Sequence, residues 1–276
     1  MTLTVHTLCE NTVSGIGFEA EWGWSVLVTK GGVRVLLDTG ARSAAVRNAD
    51  RLGLDLKSID KIVLSHAHRD HTGGIDEMLL RTGQVEVVAH PAIWERKCKT
   101  DENGKNPSYN GVPFCRWDLE NRAGFSLHRE PVRLAEGLTT IGEVPMVTDF
   151  EVVEPVFHVM EEDGLRRDDF PDDLSLVAET DKGLVVILGC AHRGMINTIL
   201  RAQEITGEKR VHAVLGGTHL YPKSVGQVSM TIKALKDLGV ERVGVSHCTG
   251  ITASMEVSRA FEGRFFFNNA GNKVDF

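Results

Sequence analysis

The sequence lacks any CxxC pair, and its five cysteines (Cys9, Cys98, Cys115, Cys190 and Cys248) are odd in number and widely scattered. That pattern argues against a disulfide framework and a structural zinc knuckle, and points to reduced thiols. No apolar run approaches the roughly 20 residues that a membrane-spanning helix requires. No dense Lys/Arg tract offsets the formal charge of −7, so neither a membrane nor a nucleic acid is the expected partner. The opening residues, MTLTVHTLCENT, have no basic or long apolar region of the signal-peptide kind and alternate as a strand does. A cytoplasmic protein acting on a small molecule is the expectation, and oligomeric state is not legible.

What is present suits one α/β domain over residues 1–276, with 42% hydrophobic and 25% charged residues. WSVLVTKGGVRVLLDTG predicts a hairpin about Lys30-Gly31-Gly32, and ARSAAVRNADRLGL a helix with Ala44, Val46 and Leu52 inward. SIDKIVLS and QVEVVAHP read as strands, and GIDEMLLRTG as a helix closed by Gly83. Residues at about 91–135 are rich in Asn, Gly and charge without a sustained period, which predicts an insertion or lid loop. After a β-rich stretch, EEDGLRRDDFPDD reads as a polar acidic loop. The second half repeats the rhythm with a hairpin about Asp181-Lys182-Gly183, the helix MINTILRAQEIT, the strand VHAVLGGTHL, a further helix and the strand RVGVSHCTG. Two halves that mix hairpins with strand-helix-strand units suit a four-layer αββα sandwich with mixed sheets.

One regularity points to chemistry. Apolar strands end in candidate functional groups at Asp38, His66, His90, Cys190 with His192, His219 and His247. If those ends share one side of the sheets, the groups converge in a cleft outside the strand termini. The densest set is LSHAHRDHTGG, residues 64–74, where imidazoles and a carboxylate suit zinc, iron or manganese better than calcium or magnesium. His66 and His68, two apart in an extended turn, can grip one ion. Asp70 and His71 would then face a neighbouring one, as in dinuclear centres with ions roughly 3.5–4 Å apart.

The run His66-Ala67-His68-Arg69-Asp70-His71, following Asp38, resembles the HxHxDH signature of the metallo-β-lactamase superfamily. The resemblance implies the αββα fold, His66 and His68 on a first metal, and Asp70 and His71 on a second. It also implies that Asp70 orients a metal-activated water and that Asp38 sits behind the loop holding it by hydrogen bonds. Flavodiiron relatives carry Glu where His68 stands, so hydrolytic chemistry is implied rather than redox chemistry. Two divalent ions are expected, zinc first, with manganese and iron as alternatives.

The departures from the pattern are as informative. Where many members place a third first-site histidine, this chain reads Phe170-Pro171-Asp172-Asp173. His192 is the preferred substitute, and His158 is read as an ordinary, partly buried histidine. Cys190 stands where members commonly have a bridging aspartate, either as a thiolate ligand or as an inert core thiol. His247 resembles the last ligand. His219 competes with it or touches substrate, and Asp173 is a turn cap, a ligand or a proton carrier.

DDLSLV, GCAHRG, GGTHL and HCTG narrow the resemblance to a subgroup that includes archaeal methanopterin-biosynthesis enzymes joining a reduced pterin methyl diphosphate to a ribosylaminobenzene phosphate. Three functions follow. The first is a metal-dependent hydrolase of a small phosphate ester, lactone or related substrate. The second is a transferase joining the pterin to an arylamine, and the third a non-catalytic pterin- or metal-binding protein. Trp94, Tyr109, Phe114 and Trp117 are candidates to stack on a planar ring or to anchor their loop. Arg193, Lys223 and Arg166 are candidates to meet a phosphate or are solvated surface charges.

Overall fold

The hairpin of Ser25–Lys30 and Val33–Leu37 is apolar on both faces, and that dictates the layers around it. Successive strand side chains point to opposite faces. Leu27 and Leu36 pack with Ala45, Ala49, Ile75 and Met78 of two helices, Ala44–Arg51 and Ile75–Thr82. Val26, Val28, Val35 and Leu37 instead meet Leu176, Ala178, Val185, Ile187 and Leu215 of a second sheet. That sheet's far face, including Val186, Leu188, Val214 and Val245, is covered by Met195–Thr206, Val225–Asp237 and Ile251–Ala260. A strand hydrophobic on both sides has to be covered on both sides, and helix, sheet, sheet, helix is the arrangement that does it.

The computed structural model describes residues 2–221 and 223–276. Its first sheet runs Lys273–Asp275, Leu3–Cys9, Ser25–Lys30, Val33–Leu37, Lys61–Val63, Glu86–Ala89, Gly124–Leu127. The second runs Phe265–Phe267, Arg242–Ser246, Val211–Gly217, Gly183–Leu188, Ser175–Thr180, Leu138–Thr140, Arg133–Ala135. In each, a hairpin feeds a parallel run, so strands ending at Leu37 and Val63 are aligned, as are those ending at Leu188, Gly217 and Ser246. No helix among the described residues is long and apolar enough to cross a membrane.

Residues 91–135 carry more regular structure than their composition suggests. Gly124–Leu127 and Arg133–Ala135 are edge strands of the two large sheets, and Arg116–Glu120 is a helix. Lys97–Lys99 and Ser108–Tyr109 join a third, small sheet with Phe157–Glu161 and Gly164–Arg167. The expected acidic loop is therefore partly a strand, and Asp168, Asp172 and Asp173 at its end are buried. The reason lies outside that stretch: the fully buried Lys97 ammonium sits between Asp168 and Asp172 and offsets part of their charge. After the last expected strand come a helix and two more strands, of which Lys273–Asp275 crosses to pair with Leu3–Cys9.

Candidate metal centre

The loop after Lys61–Val63 is fixed by its neighbours before any metal is considered. Asp38, at the end of the preceding strand, is fully buried and accepts hydrogen bonds from the backbone N–H and hydroxyl of Ser65, both at 2.7 Å. Its Oδ2 also lies 2.7 Å from His71 Nδ1. The Asp172 carboxylate accepts from Ala67 N–H at 2.9 Å. His68 precedes a short helix, Arg69–Thr72, which carries Asp70 and His71, and its turn brings the His71 ring back to 4.2 Å from that of His66. Gly73 and Gly74 then pass so close to the Thr39–Arg42 turn that a Cβ on Gly74 would fall 2.1 Å from Thr39 O. The TGG of the motif is thus a packing requirement.

The other donors arrive from strand ends. Four non-glycine residues there, Asp38, Ala191, His219 and His247, adopt left-handed backbone conformations (φ 60°, 53°, 49° and 51°). Such positions cost of order 1–3 kcal/mol each and persist where the surroundings over-determine them. Glu10 takes the His247 N–H at 2.6 Å, and Asn11 Oδ1 lies 3.0 Å from His247 Nδ1, which aims Nε2 at the loop.

Among the described residues, five overlapping groups of donors result, and two of them divide the loop's residues between them. His66, His68 and His192 form one, with His66 Nε2 and His192 Nε2 3.2 Å apart; Asp70, His71 and His247 form the other, with His247 Nε2 3.3 Å from Asp70 Oδ2. Cys190 lies between them, its Sγ 3.1 Å from His71 Nε2. Two nitrogens held by one zinc ion at about 2.0–2.1 Å each must lie within roughly 4.2 Å of one another, and the observed separation satisfies that.

Protonation points the same way for the first group. Burial, helped by neighbouring imidazoles, pushes His66 and His192 well below the usual histidine range, and burial does the same to His68. Neutral rings are the form a cation requires. Burial opposes a charge on His71 too, but the Asp38 carboxylate outweighs it and lifts the group to about 9. Asp70 is held far below the ordinary carboxylate range, against its burial, by the bond to His247 and by His71. Burial works against ionising Cys190 and Cys248; the hydrogen bond they share, with His247 and His219 nearby, keeps Cys248 below the usual thiol range and leaves Cys190 above it.

The remaining candidates fall elsewhere. Asp173 joins none of the donor groups among the described residues; its Oδ2 accepts from Arg193 N–H at 2.8 Å and so braces the His192 turn, while burial raises it to about 7. His219 Nδ1 lies 3.1 Å from Glu154, and its ring packs 4.1 Å from that of His192, so these three make a further donor group outside the two main ones. His90 accepts from Ala92 N–H and reaches Glu143, and His158 lies against Val156 O; neither joins a donor group. Sequence reasoning missed Cys248, Lys97, Trp22 and Asn11. Only Cys248 had a visible signal, as the neighbour of His247.

Above the donors opens a cavity of about 1160 Å³. Of the aromatics singled out in residues 91–135, only Tyr109 lines it; Trp94 packs on Phe125, Phe114 packs against the first helical layer, and Trp117 is exposed. Trp22, Phe157 and Tyr221 complete the aromatic walls, and Arg42, Arg69 and Lys99 supply positive charge beside the carboxylates of Glu21, Asp101 and Glu154. Arg193, Lys223 and Arg166 are engaged instead with Asp169 O, Glu154 and Glu161.

The family model described as "Metallo-beta-lactamase superfamily" matches residues 23–267. Among curated proteins, a 7,8-dihydropterin-6-methyl-4-(beta-D-ribofuranosyl)-aminobenzene-5'-phosphate synthase of Methanocaldococcus jannaschii is 31% identical, over 99% of this chain and 97% of that protein. An uncharacterised protein of the same archaeon is 27% identical over 93% and 94%. Among solved structures, Tm1679, a metal-dependent hydrolase of the beta-lactamase superfamily, aligns with a TM-score of 0.85 at 32% identity, covering 99% of this chain and 98% of that one. A diphosphatase of the PhnP family shares the fold (TM-score 0.56, 16% identity, 100% and 98% covered).

Proposed function

The chain belongs to the metallo-β-lactamase superfamily, and from that membership we propose that it is a metal-dependent enzyme that transfers the pterinylmethyl group of a reduced pterin methyl diphosphate to an aromatic amine. The observation that carries this reading is the cleft. At about 1160 Å³ it exceeds the roughly 300–1,000 Å³ of ordinary small-molecule pockets, as two ring-bearing substrates held together require and one small ester does not. Its combination of aromatic walls and cations suits planar rings carrying phosphate. The full-length likeness to the archaeal synthase supports the same reaction.

In this reading His66, His68 and His192 hold one divalent ion and Asp70, His71 and His247 a second, zinc in preference to manganese or iron. Bound ions would supply positive charge against the oxygens of the departing diphosphate. Arg42, Arg69 and Lys99 bind the outer phosphate oxygens, and Trp22, Tyr109 and Phe157 fix the ring planes. The amine nitrogen bonds to the methylene carbon as the bond from that carbon to the diphosphate oxygen breaks, and the nitrogen gives up a proton.

Hydrolysis of a small phosphate ester, lactone or related substrate is the second reading, and the likeness to Tm1679 favours hydrolysis. Incubating the zinc- or manganese-loaded protein with the pterin diphosphate, with and without ribosylaminobenzene phosphate, separates the two. Diphosphate release that needs the amine, with a coupled product by mass, supports transfer; release without it supports hydrolysis. Binding of the pterin with no turnover under either condition overturns both in favour of a binding protein.

A smaller effect is expected at Trp22, whose indole N–H donates to Asp70 Oδ2 at 3.1 Å. Trp22→Phe keeps the ring and removes that donor, so kcat should fall by roughly fivefold, about 1 kcal/mol. Rates unchanged within a factor of two would show that Asp70 does not depend on the indole.

A further inference from the structure

Cys248 has no part in either donor group assigned above, yet its surroundings are built to place it. The turn His247–Thr249 sets its Sγ 3.3 Å from Cys190 Sγ. Both sulfurs and a ring nitrogen of His247 lie within 4.8 Å of one another, and all three residues are buried. The space is made by Gly217 on the adjoining strand, where a Cβ would come 2.9 Å from Cys248 Sγ. The same sulfur accepts the His219 N–H at 3.2 Å.

The separation of the sulfurs excludes a disulfide and leaves room for a shared ion. It is far longer than the roughly 2.05 Å of a disulfide. It lies within the roughly 4.6 Å that two thiolates can span on one zinc ion at about 2.3 Å each. A pair of inert core thiols would be surrounded by apolar groups, whereas this pair faces His71, His247 and the cleft.

We propose that Cys248 is a metal ligand: with Cys190 and His247 it gives the second ion position a sulfur-rich pole, selecting a thiophilic cation such as zinc, cobalt or cadmium over manganese or magnesium. The inference rests on the reading that the cluster holds metal. It goes beyond that reading in naming the ligand and the preference that follows. His247 joins the sulfur pole to Asp70 and His71, so one ion draws on both sides of the cleft floor.

The test is cobalt loading of the full-length protein under a phosphine reductant, read by absorption. A sulfur-to-cobalt charge-transfer band in the near ultraviolet is expected, reduced by about half in Cys248→Ser and in Cys190→Ser and absent in the double variant. Visible cobalt bands from the histidine ligands should persist throughout. Visible bands without the charge-transfer band, or a band untouched by Cys248→Ser, overturn this inference alone; no cobalt bands of any kind overturn the metal-centre reading as well. Should the variants not fold, zinc-edge X-ray absorption of the unmodified protein decides: sulfur scatterers at about 2.3 Å, on the order of one per zinc with both positions filled, are expected, and a shell of nitrogen and oxygen alone overturns it.

Discussion

Replacing Lys97 by methionine is expected to remove about 3–5 kcal/mol of unfolding free energy, because it strips the partner from buried carboxylates. Lys97 is fully buried, its Nζ 2.9 Å from Asp168 Oδ2 and bonded to Asp172, and both acids are themselves fully buried. Methionine fills the volume of the stem but leaves the carboxylates uncompensated in a low-dielectric interior. The sign of the pH dependence follows. Burial already raises Asp168 against the pull of Lys97. Without the ammonium it rises further, so the penalty stands above the unfolded carboxylate range and shrinks as pH falls toward it and Asp168 takes up a proton. Urea unfolding of parent and variant at pH 7 and pH 5 reads both effects. The triple variant Lys97→Met, Asp168→Asn, Asp172→Asn should recover much of the loss. A variant within 1 kcal/mol of the parent at pH 7 would mean that the pair is not buried as described.

Asp38→Asn is the second large effect, and it falls on the metal rather than on the fold. Asparagine tolerates the left-handed backbone at this position, with φ 60°, and matches the shape of aspartate. It carries only one acceptor oxygen, where Asp38 receives Ser65 N–H and Ser65 O–H and meets His71 Nδ1. One of these contacts becomes a clash between donors, and the His71 ring loses the carboxylate that orients it. Loss of such an outer partner typically lowers metal affinity or activity by about 10–100-fold. Competition for zinc against a coloured chelator measures it directly, and an affinity within threefold of the parent would show that Asp38 does not steer His71.

Much of the framework could be read from the chain because its signals are local. The hairpins at Lys30-Gly31-Gly32 and Asp181-Lys182-Gly183, the helix stop at Gly83 and the strand-ending histidines each depend on residues within a few positions. The crowded loop at His66–His71 was legible for the same reason. Lys97 was not: it sits in ERKCKTDENGK, which has the composition of a solvated face, and its burial is decided by two aspartates some 70 residues on. The small sheet was hidden likewise, since strands of two to five residues show too few alternations to declare themselves. Trp22, Asn11 and Glu10 act on Asp70 and His247 across nearly the whole length of the chain or across a sheet edge, and no motif spacing reports such a contact.

The small sheet divides labour within the protein. The donors stand on turns of the two large sheets, whereas Lys99, Ser108 and Tyr109 form one wall of the cleft from a sheet of their own. The Lys97 ammonium and Asp172, which also grips Ala67 of the donor loop, fasten the two together. Thr100, Asp101 and Asn106 in the link that follows line the cleft and belong to none of the donor groups among the described residues, so substitutions there alter the wall without removing a donor. Relatives that keep this fastening can therefore diverge in what they admit while conserving how they react.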